Sequence, residues 1–439
     1  MKSPLWPLLS ISVVLATFYR LADCYDPRDP YGNVTVVFDI HKWTDDGYLA
    51  RVTIQNYQLY RHVDKLGWQL GWTWAKDEVI WSISGAYATQ NGNCSSFMDE
   101  IPHSCLKSPV IRDLPDSSKE NRSGDRCRGG VLSAWAVDPS ESFSSFDIRV
   151  GRLEQNTRGY PPLNLTLVAP GPGYTCSPLI DTDPTISSDI GGRREVQVLR
   201  TWKSACSYSS ILAKQTPVCC VSLSSFYNPK VTGCPSCSCG CKEADQKADS
   251  CISKGNHLSQ SDALGNPDIL RCSDHNCPVG IHWHVKNNYV DYWRVKLTVS
   301  NFNYKRNYSH WNLLVQHPGF SQNTIVYSFN SSLLPTAGLE DSVALFWGID
   351  NYNSELQQAE KDRLGSVATD IILQKNRDAF TLKDGWAFPR KIYFNGEDCQ
   401  MPLPDQFPTL PNDSSGLKAS AGFCILVIAS VVALLFGKV

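Results

Sequence analysis

The 439 residues carry a net charge of −2 with 19% charged side chains and no long basic run, so a nucleic-acid or other polyanion partner is excluded. A hydrophobic share of 42%, with 11% of all residues aromatic, excludes a disordered chain and is ample for two domains with real cores. The 17 cysteines call for either metal or disulfide chemistry, and the compartment decides which.

Residues 1–24 read as a secretory signal peptide: Lys2, an apolar run from Leu5 to Ala16, then Ala22-Asp23-Cys24, with cleavage expected after Cys24. At the other end, Ala421 to Phe436 is an uncharged apolar tail behind a polar spacer and the small residues around Asn412. This is the pattern of a glycosylphosphatidylinositol attachment signal, with Asn412 as the anchored residue, Ser414 as second choice, and 413–439 removed; the competing reading is a transmembrane helix with a three-residue tail. Both ends place the chain outside the cell, on the outer face of the plasma membrane. The sequons at Asn33, Asn93, Asn121, Asn164, Asn307 and Asn330 agree with that. Disulfides are therefore expected over zinc, and losing Cys24 and Cys424 with the end segments leaves fifteen cysteines, an odd number.

Residues 25–170 read as strands, the first of them alternating with a period of two. Val34 to His41 and Tyr48 to Gln55 read as half-buried strands around an Asp45-Asp46-Gly47 turn, and further strands are expected at Glu78 to Ile83, Gly130 to Val137, Ser144 to Gly151 and Leu163 to Ala169. The spacing is that of a β-sandwich. Within it, an extended Gly67 to Trp74 puts Trp68, Trp72 and Trp74 on one face. Such a row is either core, as most Trp are, or a platform on which pyranose rings stack; Trp81, between Ile80 and Ile83, reads as core.

Residues 171–205 are rich in Gly, Pro and Asp and read as a linker, followed by a Cys-rich region over 206–280. Its signature, CCVSLSSFYNPKVTGCPSCSCGC, contains Cys219, Cys220, Cys234, Cys237, Cys239 and Cys241 and reads as a disulfide cluster joining two β domains. Residues 281–400 are again β, with strands expected around Trp293 to Ser300, Asn312 to Gln316, Ile325 to Phe329, Val343 to Trp347 and Lys391 to Phe394, and a short helix between Ser354 and Arg363. A stalk, 401–412, leads to the anchor. His282 and His284 share a strand face, but no third metal ligand is evident and no metal or other cofactor is expected.

The runs GYLARVTIQNYQLYRHVDKLGWQLGWTWAKDEVIWSISGA, GPGYTC, the CCVS segment, HWHVKNNYVDYWRVKLTVSNFNY and GWAFPRKIYFNG together resemble the plant COBRA family over nearly the whole mature chain. The resemblance implies a glycosylphosphatidylinositol-anchored extracellular protein with a carbohydrate-binding-module-like first domain. It also implies a part in orienting cellulose microfibrils during wall growth. It maps carbohydrate binding onto Trp68, Trp72 and Trp74. Where the family's first domain has Cys doublets, this chain has His103-Ser104-Cys105 and Asp125-Arg126-Cys127, leaving Cys94, Cys105, Cys127 and Cys176 to pair otherwise. No serine-hydrolase elbow, zincin helix or nucleotide loop is present, so no catalytic residue is assigned. The alternatives are a glycosidase, for which Asp77-Glu78 beside the Trp row would be the carboxylates, and a protein-binding surface scaffold.

Overall fold

Alternation of apolar and polar residues, interrupted by turn residues, sets most of the strands. The structure, a computed structural model, describes residues 26, 28–98, 100–115, 128–153, 159–188, 195–213, 217–233, 278–304, 306–335, 342–360, 363–375 and 387–408. The expected signal, anchor signal, Asn121, Cys127 and the cysteines 234–241 lie outside them. No helix among the described residues is long and apolar enough to cross a membrane.

The first half contributes β1 (Val34–Trp43), β2 (Tyr48–Asn56), β3 (Gln69–Thr73), β4 (Val79–Ser84), β5 (Ala86–Ala88), β6 (Val110–Asp113), β7 (Phe143–Gly151), β8 (Leu163–Val168), β9 (Tyr174–Cys176), β10 (Ile180–Thr182), β11 (Ile186–Ser188), β12 (Glu195–Gln197) and β13 (Arg200–Tyr208). A seven-stranded sheet runs β10-β13-β1-β2-β7-β4 with β9 also on β13, and a four-stranded sheet runs β5-β6-β3-β8. Their inner faces share one core. Val36, Phe38, Val52, Phe146 and Trp202 of the larger sheet meet Leu70, Trp72, Ile111 and Leu167 of the smaller.

The second half contributes β14 (Cys219–Ser225), β15 (Asn228–Thr232), β16 (Val279–Asn288), β17 (Tyr292–Asn301), β18 (Tyr308–Ser309), β19 (Asn312–Gln316), β20 (Ile325–Val326), β21 (Asn330–Leu334), β22 (Val343–Trp347), β23 (Glu355–Leu356), β24 (Gly365–Gln374), β25 (Lys391–Phe394) and β26 (Glu397–Asp398). A six-stranded sheet, β15-β14-β16-β17-β24-β20, and a five-stranded one, β21-β22-β19-β25-β26, share a second core around Trp283, Leu297, Trp311, Phe346 and Phe388. The protein is thus mainly β, in two domains.

Several sequence expectations are corrected. The segment 171–205 is no linker: β9, β10 and β13 complete the first domain's large sheet, and a Cys176–Cys206 disulfide joins the directly paired residues of β9 and β13. Nor do the described residues of the CCVS signature stand between domains. Cys219–Ser225 is β14, an interior strand of the second domain, and Cys219 is bonded not within its cluster but to Cys399, 180 residues away. Cys220 is also disulfide-bonded. The other described bridge is Cys94–Cys105. Residues 130–137 form only a bridge between Leu132 and Val63, because the chain turns at Ala134, whose carbonyl accepts from the Val137 and Asp138 amides. No helix forms at 354–360; Asn301 Nδ2 donates to the Leu356 and Gln357 carbonyls, which holds that segment extended beside β18.

The domains are joined by the segment Leu59 to Asp64. Tyr60 packs with Leu314, Leu345 and Tyr393 on the back of the five-stranded sheet. Arg61 reaches Glu397 Oε1 at 2.8 Å and lies 3.5 Å over the Tyr208 ring, while Asp64 meets Arg306 Nη2 at 3.2 Å and accepts from Asn395 Nδ2 at 3.3 Å. Gly396, at φ 88°, lets the backbone approach: a Cβ there would sit 2.7 Å from Arg61 Cα.

Candidate functional site

The tryptophan row is on one face, as its spacing requires, but that face is the core. Trp68, Trp72 and Trp74 are 1%, 2% and 1% exposed, so none can stack on a polysaccharide. Trp72 meets Phe38 edge-on at 5.5 Å, and Trp68 stacks on Phe146 at 5.7 Å, both across the two sheets. The polar residues between them face out: Gln69 accepts from Arg112, and Thr73 pairs with Ser108. Leu70, sharing the parity of the three indoles, was the signal in the sequence that marked their side as the inside. Trp81 goes the other way from its expected place in the core. It is the extra residue of a β-bulge between Ile80 and Ser82, is half-buried, and donates from Nε1 to Asp46 Oδ2 at 2.7 Å. Glu78 is buried and accepts from the Lys76 amide, whereas Asp77 is exposed, so the two do not face one cleft as a carboxylate pair. Of the sequons, Asn93, Asn164, Asn307 and Asn330 are exposed and Asn33 is half-buried.

The two most recognisable runs of the second half are register partners. β14 lies parallel to β16, setting Cys220 opposite Gly280, Ser222 opposite His282 and Ser224 opposite His284. Odd-numbered residues of both strands enter the core, so the even ones form the outer face of the sheet. There Ser222 Oγ lies 2.6 Å from His282 Nδ1, Ser224 Oγ 2.8 Å from His282 Nε2, and Ser224 Oγ 2.7 Å from His284 Nδ1. One hydroxyl proton and neutral imidazoles satisfy such a chain. Burial, then the neighbouring His284 and Lys296, lowers the His282 pKa; burial, then Lys286 and Lys296, lowers that of His284. Among the described residues no group of three His, Cys, Asp or Glu could hold a metal.

The same face continues across β17, β24 and β20. His284 pairs with Lys296 and Lys296 with Asp370, and Tyr327, just past β20, donates its amide to the Asp370 carbonyl. Asp370 takes Lys286 Nζ at 3.1 Å and Arg294 Nε at 2.9 Å; burial works against its charge, but these two cations hold it below the usual carboxylate range. Tyrosines surround this ion triad. Tyr289 and Tyr292 stack at 4.4 Å at the β16–β17 turn, and Tyr289 and Tyr327 both lie within electrostatic reach of Arg294. Tyr327 is 59% exposed and Tyr289 40%. Phe226 and Tyr227, in the β14–β15 turn, are exposed at the same end of the sheet, where Phe226 N bonds Val285 O. With strands about 5 Å apart, Arg294 and Tyr327 stand roughly 10 Å apart across the sheet. The face is therefore broad, open and rimmed by phenol rings, with donors and acceptors between them. Sequence reasoning missed it. The available signal was Asn-Asn-Tyr-Val-Asp-Tyr, two aromatics at a hairpin tip where turns ordinarily carry small polar residues.

Comparison with known proteins follows the same division. A family model described as the COBRA N-terminal domain matches residues 48–209, and one described as the COBRA family C-terminal domain matches 218–408, with the break falling between β13 and β14. COBRA-like protein 2 of Arabidopsis thaliana is 49% identical, covering 93% of each chain. Protein COBRA of Arabidopsis thaliana is 44% identical over 98% of this chain and 95% of its own, and COBRA-like protein 5 of Oryza sativa subsp. indica is 40% identical over 96% and 98%. With both domain models matched in order and relatives aligned along almost its full length, this chain belongs to the COBRA family.

Proposed function

We propose that this COBRA-family chain is a non-catalytic cell-surface glycoprotein, held to the outer leaflet by a glycosylphosphatidylinositol anchor at Asn412. It binds cell-wall β-1,4-glucan, with cellulose as the first candidate, and so helps orient or assemble microfibrils during wall growth. The observation that carries the binding reading is the outer face of the six-stranded sheet, where Tyr289, Tyr292 and Tyr327 surround the Lys286–Asp370–Arg294 triad. Pyranose rings offer apolar faces for such phenols and hydroxyls for the charged groups between them. Tethering favours this mode of action: at a surface, contacts that are individually weak hold a polymer because the local concentration is high. The reading moves the site from the tryptophan row, which is core, to the second domain.

The full chain displayed on cells tests both parts. Phosphatidylinositol-specific phospholipase should release it, and the released protein should be retained on crystalline or amorphous cellulose without soluble sugar appearing. Tyr289→Ala with Tyr327→Ala should weaken retention about tenfold, the equivalent of ~1.4 kcal/mol, at unchanged thermal stability. Equal retention by the variant would remove this face from the reading, and retention on the cell after phospholipase would remove the anchor.

A further inference from the structure

A polar recess lies beside the ribbon that β18 and β23 form, close to Arg306 of the domain joint. It has a volume of about 470 Å³ and is lined by Ser309, His310, Asn351, Tyr352, Glu355 and Gln357 among others, with no aliphatic side chain in its wall. Tyr352 is 72% exposed. Hydroxyl, amide, imidazole and carboxylate groups around one phenol ring suit a sugar, which needs hydrogen bonds at its edge and an apolar surface under its ring.

Pairing of the ribbon identifies which sugar is nearest. Tyr308 faces Leu356 and Ser309 faces Glu355. Tyr308 and Leu356 are both buried, so the alternating residues Asn307, Ser309, Glu355 and Gln357 share the opposite, outward face. Three of those four line the recess, and the fourth is the acceptor of the sequon Asn307-Tyr308-Ser309, about 7 Å from Ser309 at the rise of a strand. Asn307 is exposed, and its Oδ1 accepts from the Gln358 amide at 2.7 Å, which holds the carboxamide with Nδ2 turned away from that bond.

We propose that this recess seats the first sugars of an N-linked glycan on Asn307, with Tyr352 stacking against them. The proposal rests on the reading of the chain as a secreted glycoprotein. Attachment forms a bond from Nδ2 to C1 of the sugar. The donor is a lipid diphosphate-linked oligosaccharide; its diphosphate leaves with the electrons of the C1–O bond, and the amide gives up one proton. Once attached, the glycan closes over the ribbon rather than projecting into solvent as at the exposed Asn93 and Asn164.

The full chain, made in a secretory host that leaves oligomannose glycans, is treated under native conditions with an endoglycosidase that cuts between the first two N-acetylglucosamines. Peptide mass spectrometry follows each site. The Asn307 glycan should be trimmed about 2- to 10-fold more slowly than those at Asn93 and Asn164, the factor corresponding to one aromatic contact. Tyr352→Ala, a change at an exposed side chain, should remove the difference, and Gln357→Ala should reduce it. Equal trimming at all three sites, or an unoccupied Asn307 beside occupied Asn93 and Asn164, overturns the seat while leaving the glycoprotein reading intact. All sequons unoccupied would overturn both.

Discussion

The two domains are built alike and finished differently. Each packs a large sheet on a small one around buried indoles, yet the first leaves the Nε1 atoms of Trp68, Trp72 and Trp74 without a described hydrogen-bond partner. In the second, Trp283 Nε1 donates to Ala387 O at 2.9 Å and Trp311 Nε1 to Asn353 O at 2.8 Å. Trp68, Trp72 and Trp74 serve as volume; Trp283 and Trp311 also pin backbone. The outer faces differ in the same sense. That of the first large sheet offers ion pairs such as Arg51–Asp147, whereas that of the second carries a Ser–His ladder, an ion triad and exposed tyrosines. Aromatic content alone is thus a poor guide to binding, because it is richest where it is least accessible.

Trp72→Ala is the hardest test of that contrast. It should destabilise the first domain by about 3–5 kcal/mol, visible as a large fall in melting temperature and secretion, and any loss of glucan retention should follow the loss of fold. A Trp72→Ala protein that keeps its stability but loses retention would restore the tryptophans as a binding site. Cross-links come next. Replacing Cys219 and Cys399 by Ser opens a 180-residue loop, and should cost up to about 5 kcal/mol in chemical denaturation, more than the same change at Cys94 and Cys105, which close only 11.

Acid should separate the domains as well. Burial lowers His62 to about 4, against the pull of Asp64, and lowers His317 to about 3. A histidine whose folded pKa lies below its unfolded value of 6.5 takes up protons more readily when unfolded, so the stability it permits is present above that value and lost as pH falls toward the folded pKa. Between pH 7 and pH 5 each should withdraw about 2 kcal/mol. In the same domain as His62, the sign is opposed by Asp29, whose carboxylate accepts from the Leu59 amide and which burial raises from 3.8 to about 6: the folded state holds its proton more tightly, and stability grows as pH falls through that window. His317→Gln should therefore flatten the acid loss of stability, and Asp29→Asn should steepen it, in denaturant melts at pH 5 and pH 7; an unchanged pH dependence in both variants would mean that these groups are solvated. The smallest effect concerns the indole nitrogens. Trp283→Phe should cost about 1 kcal/mol more than Trp72→Phe, because it removes a buried hydrogen bond from the indole to the Ala387 carbonyl.

Much of this was legible in the residues. The alternating runs became β1, β2 and β17 within a residue or two, since alternation is the same local constraint in any half-buried sheet, and the other expected strands at β7, β8, β19, β22 and β25 fell as closely. What failed had a non-local cause. The Gly- and Pro-rich stretch after Gly171 is strand because β1 already offers β13 a pairing edge, and β13 then recruits β9 and β10. Trp81 left the core through a one-residue bulge, a slip that reverses which face a side chain occupies. The tyrosine face showed in the sequence only as the Tyr289–Tyr292 hairpin tip, because its other members come from a second hairpin and an edge strand.

The sequence by itself determined the sequons, the β class and the family, all of which are written in contiguous residues. The sidedness of each sheet was decided by the tertiary structure. Burial is a property of the second layer that packs on a strand, so only the assembled sheets could send the tryptophans inward, join Cys219 to Cys399, and leave the tyrosines facing the solvent.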